Sequence, residues 1–403
     1  MAPSADPISQ PMNGHIKQRV SSRLFSLSQK PSLSAFKELT AQTTHASTYP
    51  LANSLASNIP VYDLSGYDVA DAATISRLSD EWNHILLSGP GVYILRNFLP
   101  DIPLIDTVNE VFESIIDAER ATARGDHFAA VGSNSRIWNS YQKHAEKDPA
   151  TFVRYYSNPW LVHAAESWLG PAYQVTAQVN MVHPGGKPQM AHRDYHIGFQ
   201  TAEESAKFPR SMHVASQFLT LQGAVAHSDM PLETGPTRFL PYSQMFEDGF
   251  MAYRLPEFSD YFNQSWVSAP LSKGDAVFFN PALFHAAGQN DSNDIERSAN
   301  LLQISSAFGK TMESIDTQKI IENAWSHVVA LHKREGFSPA VEAAIKSIGD
   351  GYPFPTNLDC RPPQSGGMAP ESEQQLLTRA LREGRDEKET VAAARQIRLD
   401  SLP

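Results

Sequence analysis

The sequence predicts an α+β protein in which helices flank a double-stranded β-helix, the jelly-roll sandwich of two facing β-sheets. Three observations lead to this prediction. The chain has 403 residues, of which 41% are hydrophobic and 19% charged, as in a globular protein with one large domain or two modest ones. Its middle, residues 172–310, consists of β-rich runs separated by Pro/Gly loops. The segments on either side have apolar residues at helical spacing instead.

The N-terminal part of the chain divides into an arm and the beginning of a folded body. Residues 1–58 are rich in Ser, Pro, Ala and Thr, and we expect a poorly packed or helical arm with short helices near 16–27 and 32–41. The body begins with strand and helix patterns in alternation. These are a strand over 59–67, a helix over 69–88, a buried strand over 91–98, an amphipathic helix over 102–124 and a helix over 158–169 that Gly170-Pro171 ends.

The strands of the jelly roll are expected in five runs, which are AYQVTAQVNMV, HVASQFLTLQGAVA, TRFLPYS, DAVFFNPALFH and ANLLQISSAF. A domain over 59–310 would therefore have its jelly-roll core at about 172–310. Residues 311–403 predict a C-terminal helical extension. It comprises helices over ESIDTQKIIENAWSHVVALHKR and SPAVEAAIKSI, a Pro/Gly-rich loop over 351–370 and a charged helix over 371–398, which would form a dimer contact or face solvent.

Charge and hydropathy argue against nucleic-acid and membrane partners. The net charge is −11, the pI is about 5.7 and no Lys/Arg run exceeds two residues, whereas nucleic-acid binding needs a basic stripe. No run of 18 apolar residues is present, and the N-terminus lacks the apolar segment of a secretory signal. The single cysteine, Cys360, provides neither an intrachain disulfide nor a thiolate cluster. We therefore expect a cytoplasmic protein.

The stretch AHRDYHIGF, residues 191–199, contains potential metal ligands that can be paired in two ways. In a helix, His192 and His196 would share a face, as in zinc proteases. In a strand, His192 and Asp194 would point the same way. The preceding HPGGKPQMA opposes a helix, and Arg193 stands where the zinc-protease helix needs a glutamate. We therefore expect a strand that presents one imidazole and one carboxylate.

An iron(II) site of the two-histidine, one-carboxylate type needs a second histidine. His196, His213, His227 and His285 follow the motif in the sequence. His285 is the best candidate, because it ends the apolar run DAVFFNPALFH, and a ligand at the end of a core strand is held rigidly.

Arg297, twelve residues after His285, opens an otherwise apolar strand. A buried arginine is costly unless it meets an anion, and its planar guanidinium suits a carboxylate. The functional interpretation is that Arg297 binds the far carboxylate of an organic acid that also contacts the metal. A structural ion pair with Asp294 or Glu296 is the alternative.

With these motifs the sequence resembles the phytanoyl-CoA dioxygenase family of iron(II)- and 2-oxoglutarate-dependent oxygenases. The matching stretches are QMAHRDYH (189–196), LETGPTRFLPYSQ (232–244), LSKGDAVFFNPALFHAAGQN (271–290) and the segment that begins at Arg297. The resemblance covers 172–310 well and 59–171 loosely. One departure is Pro241-Tyr242-Ser243-Gln244, where the family usually has P-G-S-H. This departure bears on the substrate rather than on the chemistry.

The resemblance implies that His192, Asp194 and His285 bind Fe(II), and that Arg297 grips the far carboxylate of 2-oxoglutarate. Gln189 and Thr237 match residues that contact the same co-substrate. The implied reaction consumes O2 and 2-oxoglutarate, releases succinate and CO2, and most often hydroxylates a small molecule. Desaturation, cyclisation and epoxidation remain open. Asp194 argues against halogenation, because its carboxylate fills the position that a chloride would need.

Substrate contacts and competing functions remain open. Tyr195 and His196, beside the ligands, and Arg210, in the lid-like loop 201–213, are candidates for substrate contact. The alternatives are a cupin-type metal-dependent isomerase and a non-catalytic jelly-roll binding protein. A cupin has no need of Arg297 or of the Gly-Pro-Thr loop, and a relict protein would have no reason to keep the ligands and Arg297 together. Homo-oligomerisation is not decided by the sequence.

Overall fold

The computed structural model describes residues 20–119 and 134–402. The strands in these ranges are β1 (Ser54–Ala56), β2 (Ile59–Asp63), β3 (Val92–Arg96), β4 (Asn134–Ile137), β5 (Gln174–Val182), β6 (Thr220–Ala226), β7 (Arg238–Leu240), β8 (Ala276–Phe279), β9 (Phe284–Ala286) and β10 (Arg297–Ser305). The helices are α1 (Leu33–Thr40), α2 (Ala72–Leu87), α3 (Ile102–Glu119), α4 (Ser140–Lys147), α5 (Pro149–Tyr156), α6 (Pro159–Leu169), α7 (Ala202–Ser205), α8 (Arg210–Ser216), α9 (Gly249–Ala252), α10 (Pro256–Ser265), α11 (Thr317–Glu335), α12 (Pro339–Ile348), α13 (Glu373–Glu383) and α14 (Glu387–Leu399).

Two facing sheets form the core and confirm the predicted fold class. The larger sheet has the order β1-β2-β3-β8-β6-β10-β5-β4, and its neighbours are antiparallel except for the parallel pair β2–β3. The smaller sheet contains the antiparallel pair β7–β9. Single bridges, His192 with His285 and Phe239 with Val267, extend it on either side. The result is a double-stranded β-helix.

The strands of the larger sheet have a different environment on each face, because successive side chains point to opposite sides. In β5 and β10, the apolar residues Val179 and Leu302 pack on the helices as part of the main hydrophobic core. The alternate residues, among them Asn180 and Arg297, line a cavity between the two sheets. Helices α2, α3, α5, α6, α11 and α12 also contribute to the main core. The helices therefore pack against one face of the larger sheet, and the opposite face lines the cavity.

Several predicted elements differ from the structure. The strand expected over 59–67 ends at Asp63, and the run DAVFFNPALFH forms two strands, β8 and β9, which belong to different sheets. Residues 213–216 of the run HVASQFLTLQGAVA complete helix α8, so that strand β6 begins only at Thr220. The charged helix expected over 371–398 is two helices, α13 and α14. Gly384 ends α13 in the left-handed conformation that favours glycine, and Asp386 caps α14 through the backbone N–H groups of Lys388 and Glu389. The last five residues of the helix expected over 102–124 lie outside the described ranges.

The N-terminal arm is mostly exposed from residue 20 to residue 58, with the helix α1 near 32–41 and four buried side chains, Phe25, Phe36, Thr44 and Tyr49. Phe36 on α1 is completely buried against Phe258, Phe262 and Phe284, on the outer side of the smaller sheet. Residues 20–27 are not helical, and the backbone of Arg210 instead donates a hydrogen bond to the Arg23 carbonyl at 2.8 Å. The physical reason is that tertiary contacts compensate for a weak local preference. Residues 1–19 lie outside the described ranges.

A buried polar network joins the helices to the larger sheet. The Tyr155 hydroxyl on α5 and Nε2 of His227 lie 2.8 Å apart, and Nδ1 of His227 lies 2.7 Å from Oδ1 of Asn109 on α3. Asn300 on β10 donates to the Tyr155 hydroxyl at 3.3 Å. These partners leave His227 neutral, with the Nδ1 proton donated to Asn109 and Nε2 accepting from Tyr155. The network satisfies polar groups that would otherwise be costly to bury.

The histidines of this layer predict that the free energy of unfolding falls in mild acid. Burial lowers the pKa of His227 to about 3 and that of His144 to about 4. Below a pH of about 6.5, the unfolded chain binds protons that the folded chain does not. Stability is therefore fully present above pH 6.5 and is lost as the pH falls towards 4, by up to about 1.4 kcal/mol per pH unit for each histidine.

Urea unfolding at pH 7 and pH 5 measures this loss. The variant His227→Gln should unfold more easily at pH 7 but show a smaller difference between the two pH values. His45 is exposed, and its variant His45→Gln is the control. This variant should keep the full difference in the free energy of unfolding between pH 7 and pH 5. An unchanged pH dependence in His227→Gln would show that another group is responsible.

Candidate metal centre

Main-chain hydrogen bonds place the three predicted metal ligands side by side. The His192 N–H donates to the His285 carbonyl at 3.0 Å, and the His285 N–H donates to the His192 carbonyl at 3.1 Å. The Asp194 N–H donates to the Pro281 carbonyl at 2.9 Å. His285 itself lies in β9, which pairs with β7. The backbone thus brings together two segments that are about 90 residues apart in the chain.

The side chains of these residues converge on one point. One ligand atom from each of His192, Asp194 and His285 lies within 4.8 Å of the others. Nε2 of His192 is 3.4 Å from Oδ1 of Asp194, and Nε2 of His285 is 3.6 Å from Oδ2. Within the described part of the chain, no other group of three His, Cys, Asp or Glu residues has such a spacing. His196 does not belong to the group, which excludes the helical pairing with His192.

Hydrogen bonds fix the ionisation states that a metal requires. Nδ1 of His192 lies 2.8 Å from the Met190 carbonyl, and Nδ1 of His285 lies 2.8 Å from the Leu283 carbonyl. Each Nδ1 therefore carries the proton, and each Nε2 presents a lone pair to the centre. Burial lowers the pKa of His192, and the neighbouring His285 lowers it further.

Asp194 is held as an anion. Burial alone would raise the pKa of its carboxyl group, but the positive charge of a protonated His192 or His285 and the hydrogen bond from Gln222 outweigh burial and lower this pKa to about 2. The Gln222 amide donates to Oδ2, whereas Oδ1 is buried without a hydrogen-bond partner in the structure. One buried carboxylate oxygen without a partner lies beside two imidazole nitrogens that present lone pairs. Together these three atoms are a suitable donor set for a divalent cation. Two nitrogens and one oxygen fit iron(II), and the rest of its coordination positions stay open to other ligands.

A cavity between the two sheets contains this centre. Its wall on the larger sheet includes Gln178, Asn180 and Gln222. Its wall on the smaller sheet includes His192, His285 and Phe239. Beyond Phe239 the lining is apolar and consists of Ile59, Ile94, Met230, Ala269, Leu271, Val277 and Phe279. The cavity therefore has a polar side along β5 and an apolar side along β2, β3 and β8.

Arg297 lies in the same cavity as the first residue of β10. Its side chain is buried, and Nη1 donates to the Thr234 carbonyl at 2.9 Å and to the Gly288 carbonyl at 3.4 Å. Burial lowers its pKa to about 10, so that the guanidinium remains charged at neutral pH. Over residues 20–119 and 134–402, no carboxylate lies within 4 Å of it. The alternative ion pair is thus not formed, because Glu296 binds His183 at 2.6 Å instead.

Gln189 and Thr237 also line the cavity, where the sequence predicted them. The Gln189 side-chain oxygen accepts the Ala287 N–H at 3.2 Å, two residues beyond His285. Thr237 precedes β7, whose partner β9 carries His285. The structure therefore brings both residues, the three ligands and Arg297 to one cavity.

Three sequence candidates for substrate contact lie outside the cavity wall. The Tyr195 hydroxyl contacts the Ser305 hydroxyl at 2.9 Å and donates to the Lys310 carbonyl at 2.8 Å. Nε2 of His196 lies 3.1 Å from the same carbonyl. The Arg210 guanidinium lies 4.3 Å from the centre of the Phe25 ring and 3.7 Å from the Glu247 carboxylate. None of the three is part of the cavity lining, and their contact with a substrate stays a prediction.

Sequence reasoning missed several polar residues of the cavity. Gln222 binds Asp194, and Arg136, Gln178, Asn180 and Gln303 line the same space. A signal was present, because polar residues alternate along this strand at Gln174, Thr176, Gln178 and Asn180. Polar residues with this spacing share one face of a strand, and a buried polar face needs a polar partner.

The chain is similar to several known proteins. Dioxygenase andF of Emericella variicolor is 24% identical to the chain, over 53% of this chain and 69% of its own length. Dioxygenase olcK of Penicillium canescens is 26% identical, over 59% of this chain and 75% of its own length. Among solved structures, the epimerase SnoN in complex with Fe3+, alpha ketoglutarate and nogalamycin RO is 18% identical. Its TM-score is 0.41, over 59% of this chain and 85% of that chain.

The family model described as phytanoyl-CoA dioxygenase (PhyH) matches residues 87–299, which is more than half of the chain. The matched range contains the two histidines, the aspartate and Arg297. None of the helices in the described ranges has the length and apolarity that a membrane crossing requires. The chain therefore belongs to the phytanoyl-CoA dioxygenase family, and it is an enzyme that depends on iron and 2-oxoglutarate.

Proposed function

We propose that this enzyme hydroxylates a small molecule, with His192, Asp194 and His285 as the iron ligands and with succinate and CO2 as the other products. One observation carries the assignment of the ligands. Two neutral imidazole nitrogens and one carboxylate oxygen point at a common centre, and the carboxylate oxygen has no partner in the structure. Membership of an enzyme family argues against the non-catalytic alternative, and a carboxylate-binding arginine argues against the cupin-type isomerase.

The chain would hold the co-substrate through Arg297, Gln189 and Thr237. The Nη1 atom of Arg297 is already bonded to main-chain carbonyls, which fixes the plane of the guanidinium. Its other N–H groups remain to bind the far carboxylate of 2-oxoglutarate. Gln189 and Thr237 would position the same molecule from the wall of the smaller sheet. Orienting both ends before reaction avoids an entropic cost during the chemical step.

The bound iron, with 2-oxoglutarate and O2, would supply the oxidant. The residues around it control water and charge. Gln222 donates to Asp194 and keeps that carboxylate oriented and ionised. Apolar residues, among them Phe239 and Phe279, exclude water from the adjoining space. Since much of the cavity wall is apolar, we propose a small substrate that is itself largely apolar.

We propose that the chain consists of an N-terminal arm, a catalytic domain and a C-terminal helical extension. A catalytic domain over 59–310 would contain every residue assigned above, with its jelly-roll core at about 172–310. The segment 311–403 would be a helical extension that supports the core, because α11 packs against α4 and α5. The arm 1–58 would support the smaller sheet through Phe36.

Anaerobic titration of the Fe(II)-loaded protein with 2-oxoglutarate tests the ligand assignment. The wild-type protein should develop a weak visible charge-transfer band, and so should His196→Ala, which removes the neighbouring histidine that bonds the Lys310 carbonyl. His192→Ala should fail to develop the band and should release no succinate above the background rate. A normal band in His192→Ala would remove this histidine from the ligand set.

A further inference from the structure

Arg193 is a buried cation between two of the proposed metal ligands. It separates His192 from Asp194, and its side chain lies on the opposite side of the strand, with only 2% of its surface exposed. An arginine is among the residues least often buried completely unless it is paired with an anion. Throughout the described ranges, no carboxylate lies within 4 Å of its guanidinium. A structural explanation must therefore come from its other contacts.

Aromatic rings and main-chain carbonyls surround the guanidinium. Its carbon Cζ lies 5.0 Å from the centre of the Phe250 ring and 5.2 Å from the centre of the Phe284 ring. Its Nη2 atom donates to the Ser243 carbonyl and, at 3.1 Å, to the Phe246 carbonyl. A desolvated cation is attracted electrostatically to the face of an aromatic ring. Two rings and two carbonyls therefore replace the missing counter-ion.

The loop after β7 is shaped around this guanidinium. A Cβ atom added at Gly249 would lie 1.9 Å from Cζ of Arg193, so that only glycine leaves room for the group. Ser243, at the other end of the same loop, accepts the Phe284 N–H on its hydroxyl at 2.8 Å. Arg193 and β9 are therefore attached to the same loop by independent contacts.

These contacts connect the two strands that carry the ligands. Phe284 directly precedes His285, and Arg193 directly follows His192. The main chains of the two segments are joined by the bridge between His192 and His285, and by hydrogen bonds from the N–H groups of Gln189 and Asp194 to the carbonyls of Ala287 and Pro281. The stacking of Arg193 on Phe284, together with its bonds to the loop, adds a side-chain connection on the side away from the cavity.

We propose that Arg193 is a positioning residue, which sets the distance between the strand of His192 and Asp194 and the strand of His285 and thereby sets the affinity for the metal. This proposal rests on the ligand assignment of the proposed function. A cation is suited to this position because it can bind two rings and two carbonyls at once. An apolar side chain would remove the charged donor from both carbonyls and leave each with only a backbone N–H, that of Phe246 or Gly249.

The dissociation constant for Mn(II) measures the effect of Arg193 on metal affinity. Mn(II) is a divalent metal that would bind without starting turnover. We expect the dissociation constant for Mn(II) to rise about 10–100-fold in Arg193→Met, as for other residues that orient metal ligands. Arg193→Lys keeps the charge but loses the planar group, and should show a smaller rise. Phe250→Leu removes one ring without touching a ligand strand and should also weaken binding.

Arg254→Met is the matched control. Arg254 also lies over an aromatic ring, 4.2 Å from the centre of Tyr253, and donates to the carbonyls of Phe250 and Gly198 at 2.8 Å. The Arg254 guanidinium is stacked on the Tyr253 ring and not on Phe284. This variant should lower the melting temperature of the metal-free protein but leave the Mn(II) dissociation constant within about threefold of the wild type.

The outcomes separate the proposals. The inference is overturned if Arg193→Met and Arg193→Lys bind Mn(II) as the wild type does, or if Arg254→Met weakens binding equally. If Arg193→Met does not fold, Arg193→Lys and Phe250→Leu decide by the same criterion. Failure of the ligand assignment would look different, because His192→Ala would then bind Mn(II) normally.

Discussion

Replacing Asp194 with alanine is expected to reduce 2-oxoglutarate turnover by about 1000-fold or more, with no loss of fold. The carboxylate is the only anion of the proposed ligand set, and removing it leaves two neutral imidazoles. A loss of about 4 kcal/mol in metal binding or transition-state stabilisation corresponds to such a factor. Succinate release at saturating Fe(II) and 2-oxoglutarate measures the effect.

The metal-free Asp194→Ala protein should be about as stable as the metal-free wild type. Without a metal, the Oδ1 atom of the buried Asp194 has no hydrogen-bond partner, whereas its Oδ2 atom accepts the Gln222 amide. Alanine removes the unsatisfied oxygen but leaves the buried Gln222 amide without this acceptor, and the two opposing effects are each worth about 1–3 kcal/mol. Glu296→Ala is the control, because it removes a carboxylate that pairs with His183 outside the ligand set. Full turnover in Asp194→Ala, or its loss in Glu296→Ala, would contradict the assignment.

Replacing Arg297 with methionine is expected to raise the dissociation constant for 2-oxoglutarate by about 100–1000-fold. A bidentate arginine–carboxylate pair contains two charge-assisted hydrogen bonds, each worth about 1.5–3 kcal/mol. The cavity makes this pair strong, because Arg297 is buried and has no competing carboxylate among the described residues. Anaerobic titration of the Fe(II)-loaded variant, followed at the charge-transfer band, gives the constant.

Binding of a second 2-oxo acid distinguishes a lost contact with the far carboxylate from general damage to the cavity. 2-Oxobutanoate keeps the 2-oxo acid end and lacks the far carboxylate. It should bind weakly, and about equally, to the wild type and to Arg297→Met. Arg297→Lys should recover part of the affinity for 2-oxoglutarate, since it restores a charge without the planar group. If Arg297→Met weakened both acids by the same factor, Arg297 would be a structural residue of the cavity wall.

The fold could be predicted because its signals are local. The β-rich runs between Pro/Gly loops became strands β5 to β10, and the helical patterns before and after them became helices. The errors occurred where a local pattern was ambiguous. Residues 213–216 contain one β-branched residue, Val214, beside Ala215 and two polar residues, a composition that suits either structure. The His213 ring packs against Phe25 in the helix that the structure shows. The buried position of Phe36 in the arm depends on rings more than 200 residues away.

The candidate site could be predicted only in part, for a related reason. Alternation along a strand indicated that His192 and Asp194 face one side. Tyr195, a candidate for substrate contact in the sequence, bonds Ser305 and Lys310 in the structure. The partner of Asp194 could not be read in the same way. Gln222 reaches its carboxylate because two sheets face each other at that point, which no pattern within one strand reveals.

The sequence by itself determined the fold class, the family and the set of side chains that converge at the centre. Motif spacing and strand periodicity carry this information, because they depend on residues close together in the chain. Only the tertiary structure decided that Arg297 lacks a carboxylate partner among the described residues, that His196 and Arg210 lie outside the cavity, and that Arg193 is buried between two rings. These facts depend on which surfaces of distant segments meet, and that is set by sheet register and side-chain packing.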